Sequence, residues 1–143
     1  MANGYFTAYA EGIMDGSIDL DTATIKVALV RGYTFSAAHK FVSDVTGAGG
    51  GTINGTSGAL ANKTVTGGVF DSDDPVIAAT ASTADHGLLL YQSSAAAGGA
   101  DVAATAQRVI GWYDTGTGLP LKPGTGNVTV TWPNTSPRIL KVG

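Results

Sequence analysis

"TIKVALVRG", Thr24 to Gly32, sets Ile25, Val27 and Leu29 on one side of an extended chain and Lys26 and Ala28 on the other. Alternation with period two marks a strand with one buried face. Downstream, short β-branched or aromatic runs recur every 8 to 15 residues: "NKTVTGGVFDS", "PVIAATAS", "GLLLYQSS", "QRVIGWYD", "NVTVTWP" and "RILKVG", parted by Gly, Asp, Asn and Pro. This spacing predicts a mainly β chain, folded as an antiparallel β sandwich or barrel.

Upstream of Thr24 the period changes. Residues 3–14, "NGYFTAYAEGIM", carry Tyr5, Phe6, Tyr9, Ile13 and Met14 at steps compatible with one helical face, with Asn3 as N-cap. A short N-terminal helix is predicted there. "SAAHKFVSDV", Ser36 to Val45, offers a second short helix capped by Ser36. The loop "TGAGGGTINGTSG" follows it, with glycines that oppose any fixed helix. Residues 93–106, "SSAAAGGADVAATA", have little to bury and read as a flexible exposed loop. No repeat or linker divides the chain, so residues 1–143 are read as one β-rich domain.

Composition narrows the function. Charged residues make up 13% of the chain, against about 25% in ordinary domains, and 21 positions are glycine. The net charge of −3 comes from 11 acidic against eight basic residues with no basic run, so neither nucleic acid nor an anionic membrane is an expected partner. There is no cysteine, which excludes disulfides, thiolate metal sites and thiol nucleophiles. The start, "MANGYFTAYAEG", lacks the basic and apolar regions of a signal peptide, and no apolar run approaches the roughly 20 residues of a membrane span.

Each motif with chemical potential has a plainer reading. Asp114-Thr115-Gly116 is the triplet of a dimeric aspartic protease, in which two aspartates share a proton and activate water. Only 27 residues follow Gly116, too few for the flap and the later apolar-apolar-Gly segment, and Val109-Ile110-Gly111 precedes the triplet. A hairpin turn is the better reading. "DSDD", Asp71 to Asp74, lacks the glycine turn and terminal acid of a calcium loop, and "DLD" at Asp19 to Asp21 is similar. His39 and His86 stand 47 residues apart without ligand spacing and read as satisfied surface or loop histidines. No Gly-x-Ser-x-Gly elbow occurs, and "TGAGGG" lacks the Lys-Ser/Thr ending of a phosphate loop. The sequons at Asn54, Asn62, Asn127 and Asn134 are expected by chance in a chain so rich in Thr and Ser. Trp112, Tyr113 and Trp132 raise a carbohydrate platform, but adjacent strand residues point to opposite faces, so Trp112 and Tyr113 cannot share one. Packing in the core or an interface is expected of them instead. No catalytic, cofactor-binding or metal-binding residue is assigned, and the chain is not read as an enzyme.

Three blocks in order, "GSIDLDTATIKVALV", "SGALANKTVTGGVFDSDD" and "DTGTGLPLKPGTGNVTVTW", with "AYAEGIMD", "KFVSDV" and "LLLYQ" around and between them, resemble a family of small tailed-bacteriophage virion structural proteins. The resemblance runs nearly end to end. It implies a non-enzymatic component of the particle, best placed as a capsid decoration or cement protein, made in the host cytoplasm and carried on the capsid surface. It further implies two partners, the major capsid protein and the chain itself as a homotrimer. Tyr5, Phe6, Tyr9, Trp112 and Trp132 are the candidate interface residues, and for Tyr5, Phe6, Tyr9 and Ile13 of the N-terminal segment a core role that covers the sheet is favoured over docking on a neighbouring subunit. A tail, baseplate or fibre-attachment component is the alternative, and a carbohydrate-binding module or a dimeric aspartic protease are remote ones.

Overall fold

A computed structural model describes residues 3–135 and 139–141 of the chain. In chain order the elements are β1 (Gly4–Tyr5), α1 (Thr7–Asp15), β2 (Ile25–Arg31), α2 (Val42–Thr46), β3 (Thr52–Thr56), β4 (Thr64–Thr66), β5 (Val69–Asp71), β6 (Val76–Ile77), β7 (Gly87–Gln92), β8 (Arg108–Tyr113), β9 (Val128–Thr129) and β10 (Leu140–Lys141). Five strands form an antiparallel sheet in the order β1-β8-β7-β2-β3, beside a three-stranded sheet β10-β5-β4 and the pair β6-β9. The fold is mainly β, as expected. Its large sheet ends at β1 and β3 without closing, so of the two expected forms the sandwich-like one is present and the barrel is not.

Both faces of the large sheet are covered. Ile25, Val27 and Leu29 meet Leu88, Leu90 and Ile110 on one face, capped by Phe70, Ile77, Val130 and Ile139 from the smaller sheets and loops. Ala28, Val30, Leu89, Tyr91, Val109 and Trp112 fill the other, under Phe6 and the α2 residues Val42 and Val45. The predicted alternation of β2 therefore holds for its inner set. Its other side is also buried, because β2 is a central strand between β7 and β3 rather than a half-exposed one. Each such Leu, Ile or Val contributes about 1.5–3 kcal/mol by leaving water, so these two layers hold the sheet.

The first helix begins later than the sequence suggests. Residues 4 and 5 pair with Trp112 and Gly111 as β1, and the helix starts at Thr7 behind Phe6, whose backbone is extended. Asn3 is therefore no N-cap. Its side chain instead grips the turn after β8, at the far end of the chain. The helix stops at Gly16, which takes the left-handed conformation at φ +78. Phe6, Ala8, Tyr9 and Gly12 are buried, whereas Tyr5, Ile13 and Met14 are exposed, so the five apolar residues do not share one covered face.

The second helix is shorter than residues 36–45 and displaced, since Ser36 accepts from the His39 amide in a turn and α2 starts only at Val42. Its cap is Asp44, whose carboxylate accepts from the amides of Lys40 (2.8 Å) and Phe41 (3.0 Å). Those two bonds hold the Asp44 carboxyl below the usual range. The glycine-rich loop that follows contains an unexpected strand, β3. It runs along β2 with Ile53 opposite Val30, and as an edge strand it needs few apolar residues to form. The β4–β5 hairpin turns through Gly67 and Gly68, both at positive φ, as a tight two-residue connection requires.

Candidate functional site

The Asp114-Thr115-Gly116 triplet sits in the turn after β8. Asn3 Oδ1 accepts from the amides of Asp114 (2.8 Å) and Thr115 (2.9 Å), and Asn3 Nδ2 donates to the Thr115 carbonyl (2.7 Å). The Asp114 carboxylate accepts from the Thr115 hydroxyl and lines a small cavity of about 160 Å³ with Tyr33, His86 and Trp112.

His86 is a satisfied loop histidine, one of the two forms expected, and a buried one. It is 1% exposed, and its Nδ1 lies 2.8 Å from the Ala84 carbonyl, so that nitrogen carries the proton and Nε2 accepts from Asn54 Nδ2 at 3.1 Å. The same Asn54 side chain donates to the Thr80 carbonyl and accepts from the Thr80 amide. Asn54 and His86 thus tie the 78–86 loop to β3. His39 is half-buried and shares a hydrogen bond with the Tyr33 hydroxyl.

The two acidic stretches are also bound into the structure. Asp74 accepts from the Trp132 amide, Ser72 from the Trp132 indole, and Asp73 from Asn62 Nδ2. Asp19 accepts from the amides of Asp21 and Thr22, which holds its carboxyl below the ordinary range, the Thr22 bond contributing most. Among the described residues no group of three or more His, Cys, Asp or Glu is placed to hold a metal ion.

Residues 93–106 hold neither helix nor strand, yet the segment is fastened along its length. Thr24 Oγ1 donates to the Gly99 carbonyl, Lys26 pairs with Asp101, the Val102 amide donates to Ser93, and the Ser43 amide donates to Ala104. Gln92, just before it, is 2% exposed. Its amide nitrogen donates to the carbonyls of Ser17 (2.9 Å) and Ser94 (3.1 Å), and its oxygen accepts from the Asp19 amide (3.0 Å). No local sequence pattern marks Gln92 as this junction.

The aromatic residues divide as strand geometry requires. Trp112 packs in the layer under α2, at 4.8 Å edge-on from Tyr33, while Tyr113 packs on the opposite layer. Tyr113 and Trp132 line one cleft of about 740 Å³ with Leu88, Leu119 and Val130. Burial raises the Tyr113 phenol and pushes Tyr91 up to about 12. Of the five candidate interface residues, Phe6, Tyr9, Trp112 and Trp132 lie in the chain's own core, and Tyr5 is 46% exposed.

Among the described residues the large outward apolar side chains are Tyr5, Ile13, Met14, Val65 and Val76. Ile13 and Val65 border a groove of about 400 Å³ between the end of α1, the 16–21 loop and β4. Ile18 and Leu20 form its floor, with Asp19 and Asp21 beside them. Nearby, burial holds the Lys63 ammonium below the ordinary lysine range, against the opposing pull of Asp21 and Asp19, and its Nζ donates to the Ala23 carbonyl.

Among the described residues no helix is long and apolar enough to cross a membrane. Comparison with protein-family models, with curated proteins and with solved structures returns no match.

Proposed function

We propose that the chain is a structural component of a tailed-bacteriophage particle, most specifically a decoration or cement protein that sits on the capsid and bridges neighbouring capsomers. One observation carries this reading beyond the sequence resemblance. Of the buried polar side chains among the described residues, Gln92, His86, Ser57, Ser93 and Ser94 each bond to backbone or to a neighbouring side chain, fastening loops to the sheet, and Asp114 accepts from the Thr115 hydroxyl in its own turn. Such bonds brace a scaffold, as a protein that works by its shape requires. The sparsely charged surface fits the same role, because few charges must be stripped of water when such a surface is covered.

A cement acts by linkage. It binds the assembled lattice more tightly than separate capsomers, and the difference appears as shell stability. Association as a trimer about a threefold position would present three equivalent surfaces to surrounding subunits. The test is the copy number of the chain in purified particles, by quantitative mass spectrometry against the major capsid protein. A simple stoichiometric ratio to that protein is expected. A small fixed number per particle moves the chain to the tail or baseplate, and absence from particles overturns the proposal.

A further inference from the structure

We infer that the groove between α1 and β4 docks an extended protein segment, which adds as a further strand to β4 and carries alternating apolar and basic side chains. On the virion reading, from which alone the donor's identity follows, the segment belongs to the capsid protein.

Three features meet at this place. The first is apolar exposure: Ile13 and Val65, which line the groove, are 40% and 50% exposed, two of the five large apolar side chains that face outward among the described residues. The second is an open edge. In the order β10-β5-β4 only β5 pairs with β4, all three β4 residues are exposed, and no strand among those described lies along the other side. An edge with free amides and carbonyls recruits a strand by main-chain hydrogen bonds, while pockets for alternate side chains select the sequence. Val65, at the middle of β4, points its side chain to the groove, so a strand laid beside it would have its own apolar residues at the level of Ile13 and Val65.

Charge supplies the third feature and selects the occupant. Asp19 and Asp21 line the groove, and the ammonium of Lys63, which lies within their field, is already bonded to Ala23. Basic side chains flanking the apolar ones therefore complete the site. A second copy of this chain entering through the same patch would bring the two aspartates against their own copies, along an edge of only three residues. Like-charge contact of that kind opposes self-association and favours a basic partner.

The test is a titration of the full, isotope-labelled chain with a short synthetic peptide alternating Val and Lys, and with a counterpart carrying Glu in place of Lys. The basic peptide should shift the amides of Thr64, Val65 and Thr66 and the methyls of Ile13 and Val65, binding about tenfold tighter than the acidic one. Equal affinities, shifts centred elsewhere, or no binding overturn the inference. Val65→Lys should abolish the response and Val76→Lys, outside the groove, should retain it. Should Val65→Lys not fold, Ile13→Lys, at an exposed helical position that lines the groove, must weaken binding for the inference to stand. Concentration-dependent dimers that protect β4 without peptide assign the edge to a second copy and overturn it too.

Hydrogen exchange on particle-bound protein separates the two proposals. Protection of β4 amides supports the docking site. Binding to particles with β4 unprotected overturns the docking site and leaves the virion role standing. A chain that takes the basic peptide but never binds particles loses the virion role and keeps the docking site.

Discussion

Replacing Gln92 by leucine removes three hydrogen bonds at once while keeping the bulk of the side chain. The carbonyls of Ser17 and Ser94 and the amide of Asp19 lose their partner. Ser94 is 1% exposed, so its carbonyl has no ready water, whereas Ser17 and Asp19 are half-buried and recover part of their solvation. A buried polar group left unpaired costs about 1–3 kcal/mol, and the leucine regains a little by apolar burial, which puts the net loss at about 2–4 kcal/mol. Against a total stability of about 5–15 kcal/mol this is large, and it should lower the urea midpoint by about 1–2 M. Gln92→Glu adds a test of sign. The new carboxylate would face two carbonyls, so its folded pKa lies above the unfolded one, and the variant is most stable below the unfolded carboxylate pKa of about 4.3 and loses stability as pH rises through the folded value. Urea denaturation followed by tryptophan fluorescence reads both variants. A Gln92→Leu cost below about 1 kcal/mol, or a Gln92→Glu deficit that does not shrink on acidification, would refute the bracing role.

Three further outcomes follow from the same geometry. A Cβ at Gly87 would run into the ring of the buried Trp112, which would have to shift, so Gly87→Ala should cost about 1–3 kcal/mol and alter the near-ultraviolet circular dichroism of that indole. Asn3→Ala should speed amide exchange at Asp114 and Thr115, whose protons it holds, while the β2–β7 ladder keeps its protection; unchanged exchange at those two amides would remove the clip. The carboxyls of Asp19, Asp44 and Asp101 are all depressed, chiefly by hydrogen bonds from the Thr22 amide, the Lys40 amide and the Lys26 side chain. Their contribution is full above the unfolded aspartate pKa of about 3.9 and is lost as pH falls through the folded values, so Asp44→Asn should flatten the acid limb of the stability curve.

What the sequence made legible was whatever repeats locally. Ile25, Val27 and Leu29 declared a strand face because a pleated chain needs period two, and all three lie in one core layer. "NKTVTGGVFDS" read as a single β run, and the structure splits it at Gly67 and Gly68 into the β4–β5 hairpin. β3 was not legible, because an edge strand with one solvated side carries a single inward Ile53 among Thr, Asn and Gly. The late start of α1 escaped notice because Asn3, a good capping residue by type, bonds instead to residues 111 and 112 positions away. Gln92 and the Asn54–His86 pair belong to the same class, set by partners that no spacing rule connects. At the groove, Ile13 follows Tyr9 by one helical turn and so looked like core. It is exposed because at its level the helix meets the open groove beside Val65 rather than a packed layer.

The contrast between the sheets bears on how the chain responds to a partner. β2, β7 and β8 are held by two apolar layers and long ladders, so they set the global stability. The β4–β5–β10 sheet has short ladders, and β4 has every residue exposed, so its opening need not wait for the centre to unfold. A strand added to β4 would pair its free edge and cover Ile13 and Val65 in one step. Its binding energy then falls on the least braced part of the fold, and exchange at Thr64–Thr66 should slow on docking while the central ladder changes little.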